Sequence, residues 1–147
     1  VSTSEFISLA TTTVSSTSSS TSSSTPAAIL IHSPNFREIQ REFGDYPIIH
    51  DQRSIKTNEK DHLLDSKTMQ EIIALYNALQ HIKALKASYF LIDGGTGITA
   101  ITNRPFKVIF QLNGNAEDEI SKLQIFLNNN NPSEYIDLRF GDRIYWK

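Results

Sequence analysis

The sequence predicts an α+β fold: a mixed, largely antiparallel β-sheet with two main helices packed on one face and the carboxy-terminal strand at or near the sheet edge. Three observations carry that expectation. Residues 135–147 alternate apolar and polar side chains with a period of two, the pattern of a half-buried strand. Met69, Ile72, Ile73, Tyr76 and Leu79 recur at three- and four-residue spacing, the pattern of a buried helix face. Between these segments Phe106, Val108, Phe110 and Leu112 fall on one side of a strand and Lys107 and Gln111 on the other.

Taken in order, residues 5–10 suggest a short first strand. From Thr11 to Thr25 every residue except Val14 is Ser or Thr, and Pro26 follows. Such a tract has no apolar surface to offset its ordering entropy, so 11–28 is expected to be disordered, inside a single domain spanning 1–147. Order is expected to resume with the apolar run 29–31. Residues 35–43 suit a helical turn or two, ended by Gly44. Pro47 makes 46–49 extended, and the polar stretch 51–61 reads as a surface loop.

Ser66 is the expected N-cap of the longest helix, whose stripe is widened by Leu75, Ile82 and Leu85. Its Met and Tyr are core packing. Strands follow at 88–93, 98–103 and 106–112, joined by Gly94-Gly95-Thr96-Gly97 and Arg104-Pro105 into an antiparallel meander. Asn115 should cap a second helix, with Glu117 and Asp118 in the first turn where the helix dipole favours acids. Capping is taken to account for Glu119 as well. Ile120, Leu123, Phe126 and Leu127 form this helix's stripe, and Asn128 to Asn131 with Pro132 stop it.

The phase of the closing stretch bears on its turn. A two-residue loop at Gly141-Asp142 would pair Leu138 with Tyr145 and Ile136 with Lys147, splitting the apolar residues between faces. A three-residue excursion would pair Phe140 with Ile144, Leu138 with Trp146, Arg139 with Tyr145 and Asp137 with Lys147. The sequence therefore favours an odd-length turn, or one long strand with a bulge at Gly141. A terminal strand at an edge offers unpaired backbone groups that a strand of another protein can extend.

Composition sets limits. A net charge of -2 and a pI near 6.1 give no broad attraction to nucleic acid or anionic lipid. The absence of cysteine rules out disulfides and thiolate metal sites but chooses no compartment. No apolar run approaches a membrane span, and no signal-peptide pattern precedes Ser15. The chain is expected to be the distal piece of something longer.

Tyr-Ile-Asp-Leu-Arg-Phe-Gly-Asp-Arg-Ile-Tyr-Trp-Lys at 135–147 resembles the closing segment of the FtsQ/DivIB family of bacterial division proteins. The family typically ends its extracytoplasmic β domain with Tyr-(Ile/Val)-Asp-Leu-Arg-(Phe/Tyr). The order helix, meander, helix and closing strand is similar to that domain from about Tyr46 to Lys147, and Tyr-Pro-Ile-Ile resembles its Leu-Pro-x-Ile opening. Two features depart from it: the membrane helix and POTRA domain are absent, and the Ser/Thr tract sits where the family has a short hairpin.

The resemblance implies a non-enzymatic scaffold outside the cytoplasmic membrane at the division site, binding an FtsB/DivIC partner that with FtsL regulates septal wall synthesis. Membrane association would come only through an upstream helix not in this chain. The partner-facing motif falls on Asp137, Leu138, Arg139 and Phe140, with Arg139 pairing to a partner carboxylate and Phe140 offering aromatic contact; Tyr145 and Trp146 complete the set. The plainer alternative is that Asp137 and Arg139 form a solvated surface pair worth about 0–1 kcal/mol.

Two other readings compete. Asp93-Gly94-Gly95-Thr96-Gly97 between apolar strands is how actin-like ATPases and sugar kinases approach phosphates, although a chain this short lacks their two domains. A structural surface domain on a Ser/Thr-rich stalk is the third possibility. His32, His50, His62 and His81 show no metal-ligand spacing, and the serines form no nucleophile elbow. The sequence therefore nominates no catalytic residue, no metal site and no cofactor.

Overall fold

The computed structural model describes residues 35–53 and 64–147. The expectations for 5–10, the Ser/Thr tract, the run 29–31 and the loop beyond residue 53 lie outside them. Phe36–Phe43 forms α1, which Gly44 closes at φ +74, a conformation glycine adopts without Cβ strain. After Pro47 the chain extends into β1, Ile49–Asp51. Helix α2, Ser66–Leu79, is capped by Asp65 rather than Ser66: the Asp65 carboxylate accepts the Thr68 N–H at 2.7 Å. Aspartate and serine cap about equally well, so register decided between neighbours.

The meander follows as β2 Ala87–Ile92, β3 Gly97–Thr102 and β4 Lys107–Gln111, then α3 Ala116–Asn129, β5 Tyr135–Phe140 and β6 Arg143–Trp146. Asn115 caps α3, as expected, accepting the Asp118 N–H at 3.3 Å. The six strands make one sheet in the order β1-β2-β3-β4-β5-β6. Pairs β1–β2 and β4–β5 are parallel and the rest antiparallel. Parallel neighbours need a crossover, which α2 and α3 supply. The described residues thus form two βαββ units in tandem, β1-α2-β2-β3 and β4-α3-β5-β6, with β1 and β6 at the two edges of the sheet.

The core sits between α2, α3 and one sheet face. Phe90, Ile92, Ile98, Val108, Phe110, Ile136 and Leu138 point into it from the sheet, meeting Ile72, Leu75, Leu79, Leu123 and Phe126 from the helices. Tyr89, next to Phe90, therefore projects to the opposite face, where the Phe36 ring of α1 stacks on it at 3.9 Å. This third helix covers part of the face that the two main helices leave open.

The helical stripe overran its helix. Ile82 and Leu85 are buried, but α2 ends at Leu79 and the chain turns through Lys83 and Ala84 at φ +45 and +54. Two successive non-glycine residues in the left-handed region carry Cβ strain. Ala84→Gly is expected to stabilise the fold by about 0.5–1 kcal/mol, relief of that strain outweighing the extra unfolded-state entropy. A higher urea midpoint at unchanged m-value would show it; a lower midpoint would mean the turn is relaxed as it stands.

Candidate functional site

The carboxy-terminal hairpin is built from two local decisions. Phe140 pairs with Arg143 across a two-residue turn, and Gly141 at φ +60 takes the positive φ that tight hairpin turns require. Further down, Asp137 pairs with Tyr145 and Ile136 with Trp146. Between these points β5 has one extra residue, so Leu138 and Arg139 together oppose Ile144, a β-bulge. The odd-length turn and the bulge at Gly141 are both corrected: the loop has two residues and the bulge lies two residues earlier. The pairings expected for Leu138, Arg139, Asp137 and Phe140 all shift accordingly. The physical aim was met by another route, since the bulge restores the parity that a two-residue loop alone would break.

The consequence is a division of labour along the hairpin. Ile136, Leu138, Ile144 and Trp146 lie on the core side, and the Trp146 ring meets Phe126 of α3 edge-on at 5.5 Å. The extra residue turns Phe140 to the other side, where its ring meets Tyr145 edge-on at 5.1 Å. Phe140, Tyr145 and Trp146 remain about half exposed, at 52%, 47% and 46%. Lys122 of α3 tethers the tip, donating to the Gly141 carbonyl at 3.0 Å while pairing with Asp118 at 2.6 Å.

The backbone of β6 sets what the edge can offer. Lys147 donates its N–H to the Tyr135 carbonyl, and its own carbonyl accepts from Ser133 and Glu134 at 2.8 and 2.7 Å. Residues of an antiparallel strand alternate in the direction of their polar groups, so Ile144 and Trp146 aim N–H and C=O away from β5. Two donors and two acceptors thus face outward, flanked by aromatic side chains. The opposite edge is built differently: β1 has three residues, follows Pro47, and has Phe36 against His50 at 5.5 Å.

The sequence-nominated motif lies one strand inside this edge. Leu138 is 2% exposed and belongs to the core. Asp137 is 6% exposed, and Arg139 grips it with Nε on Oδ1 at 2.9 Å and Nη2 on Oδ2 at 2.7 Å. Neither the exposed surface pair nor an Arg139 free for a partner carboxylate describes this arrangement, because β5 is hydrogen-bonded on both sides and the bidentate geometry occupies the guanidinium. That bond also raises the pKa of Arg139 above its usual value. Of the six nominated residues, Phe140, Tyr145 and Trp146 are gathered at the hairpin surface and the other three are not.

The glycine-rich turn finds a structural use. Asp93 Oδ1 accepts the Gly95 N–H at 2.8 Å, and Arg139 reaches Thr96 Oγ1 at 3.3 Å. Gly97 is required by close approach: a Cβ there would lie 3.0 Å from both Arg139 Cδ and Ile109 Cγ2. Arg53 lies on the other side of the turn, held by Asp51 in the same two-pronged way, at 2.9 and 2.7 Å. The same Asp-x-Arg spelling stands at 51–53 and 137–139, a repeat legible in the sequence. Beside the turn, Leu91, Thr99, Ile101, Lys107, Ile109 and Arg139 line a shallow groove of about 190 Å³.

No protein-family model and no curated protein matches this chain. Among the described residues, no helix is long and apolar enough to cross a membrane.

Proposed function

We propose that this protein is a non-enzymatic binding module that accepts a strand from a partner along β6, and that it serves as a scaffold of the FtsQ/DivIB kind at the outer face of the bacterial division site. The observation that carries the reading is the position of β6 at the sheet edge, with no further strand beside it among the described residues and with Phe140, Tyr145 and Trp146 exposed there. The division context and the FtsB/DivIC type of partner come from the resemblance of residues 135–147 alone.

The energetics are adequate. Four outward-facing backbone groups at about 0.5–1.5 kcal/mol net each supply roughly 2–6 kcal/mol. An aromatic anchor adds about 2 kcal/mol, for a sum of roughly 4–8 kcal/mol, which spans millimolar to micromolar binding before the cost of association is subtracted. An incoming strand would alternate its side chains between Trp146 with Ile144 on one side and Tyr145 with Arg143 on the other.

Hydrogen exchange tests the edge directly. Saturating the protein with its cognate FtsB/DivIC-type protein is expected to slow exchange at the Ile144 and Trp146 amides at least tenfold, while the β1 amides stay unchanged. Unaltered exchange at both β6 amides in a demonstrably bound complex would place the partner elsewhere. No binding at all would remove the division assignment.

A further inference from the structure

At the end of the sheet opposite the glycine-rich turn, three connections converge: the turn after α2, the β3–β4 turn and the segment between α3 and β5. They enclose a cleft of about 230 Å³. Ile82 and Leu85, the residues that carry the helical stripe past the end of α2, line it together with Phe106 and Pro132, and all four are buried. Leu127 of α3 forms one side, and the exposed Lys83 and Arg104 stand at the rim.

The rim is held by backbone groups and not by acids. Lys83 Nζ donates to the Leu127 carbonyl at 2.7 Å, and Arg104 Nη2 donates to the Lys83 carbonyl at 3.3 Å. Asn103 pins the turn after α2, accepting the Lys86 N–H at 2.9 Å and donating to the Ala84 carbonyl at 3.3 Å. Thr102 Oγ1 pins the β3–β4 turn, accepting the Arg104 N–H at 3.2 Å and donating to the Phe106 carbonyl at 2.6 Å. The left-handed backbone at Lys83 and Ala84 is strain of the kind that persists where surroundings over-determine a conformation. Among the described residues neither cation pairs with a carboxylate, and no Asp or Glu lines the cleft. Glu134, two residues past Pro132, is already paired with Lys147 at 2.8 Å.

An apolar hollow with two cations and no acid at its mouth is complementary to a hydrocarbon body that carries negative charge. We propose that the cleft binds a carboxylate attached to an apolar group of about one side chain's size, the hydrocarbon lying against Leu85, Phe106 and Leu127 and the carboxylate held by Arg104 in the field of Lys83. Size limits the ligand, because the cleft is smaller than the roughly 300–1,000 Å³ of sites for drug-sized molecules. Arg104 is the better anchor: its guanidinium is exposed, keeps further N–H donors to spare and matches a carboxylate in a fork, whereas Lys83 is already tied to the last turn of α3. The Leu127 and Lys83 carbonyls beside the two cations disfavour a doubly charged phosphate more than a single carboxylate. The apolar carboxy-terminal residue of a peptide and a small free arylalkanoic acid share this chemistry. The site has no residue in common with the β6 edge and does not depend on any partner binding there.

Amide NMR titration of the ¹⁵N-labelled whole chain tests this with three probes: acetyl-Gly-Gly-Phe with a free carboxy terminus, the same peptide as its terminal amide, and 3-phenylpropionate. The peptide acid is expected to shift the Lys83, Arg104 and Leu127 amides and to bind at least about tenfold more tightly than the amide, the difference made by one charge-assisted contact. Arg104→Gln should weaken the acid about tenfold and leave the amide unchanged, a ratio that a purely structural role would not move. If Arg104→Gln fails to fold, Arg104→Lys, which keeps the charge and loses the fork, is read the same way with a smaller loss. Binding of 3-phenylpropionate as tight as that of the peptide acid would assign the cleft to free acids, and binding at least about fivefold weaker would assign it to chain termini; either result supports the site. Equal affinity for acid and amide would reduce the cleft to an apolar contact and overturn the proposal. So would unchanged affinity in Arg104→Gln, or no shift at these amides with about 20 mM of either acid.

Discussion

Replacing Arg139 with methionine is expected to destabilise the fold by about 2–3 kcal/mol, more than Asp137→Asn does. The asymmetry follows from burial. Asp137 is 8% exposed in its side chain and Arg139 28%, so removing the guanidinium strands a buried carboxylate, whereas removing the carboxylate frees an arginine that can turn to water. The methionine retains the aliphatic contact with Gly97, which isolates the loss of charge. A double variant, Asp137→Asn with Arg139→Met, should recover much of the loss, and the cycle measures the coupling. Urea melts of the four proteins check it; equal costs for the two single variants would show that Asp137 is effectively solvated. The same result governs how binding is tested, since any Arg139 substitution confounds partner contact with fold stability.

The second large effect concerns the edge. Phe140→Ala with Tyr145→Ala is expected to weaken binding of an FtsB/DivIC-type partner at least thirtyfold, corresponding to loss of about 2 kcal/mol from the aromatic anchors. The cost to the fold is about 0.5–1.5 kcal/mol for the ring pair in addition to the buried half of each ring. Trp146 is left in place, since its packing on Phe126 would make a variant there ambiguous. Tyr46→Ala, an exposed aromatic before β1 at the opposite edge, is the matched control and should leave affinity unchanged. Titration calorimetry distinguishes these; equal affinity for the double variant and the unsubstituted protein would detach the aromatics from binding.

Much of the architecture could be read from side-chain periodicity. The strand through Val108 and Phe110, which is one residue shorter at each end than expected, the Asn115 cap and the stripe of α2 emerge because each rests on contacts within one turn or one strand. Errors arise where two elements compete. Ile82 and Leu85 keep the helical spacing and stay buried, yet the chain has already left the helix to begin β2, since burial is fixed by the core and not by the local backbone. Glu119 reads as a capping acid from its place after Asn115. Only the fold shows that its side chain is buried, with Oε1 accepting the Gln111 N–H of the preceding strand.

The sequence by itself determined that the chain ends in a half-buried strand, that two amphipathic helices cover one side of a mixed sheet, and that Gly44 and Asn115 punctuate it, because those features depend on neighbours a few residues apart. Tertiary structure alone decided that Arg139 is spent on Asp137, that a bulge turns Phe140 outward beside Tyr145, and that β6 is an edge strand among the described residues. The reason is physical: hydrogen-bond satisfaction of a strand is a property of the strands on either side of it, and no reading of one segment contains its neighbours.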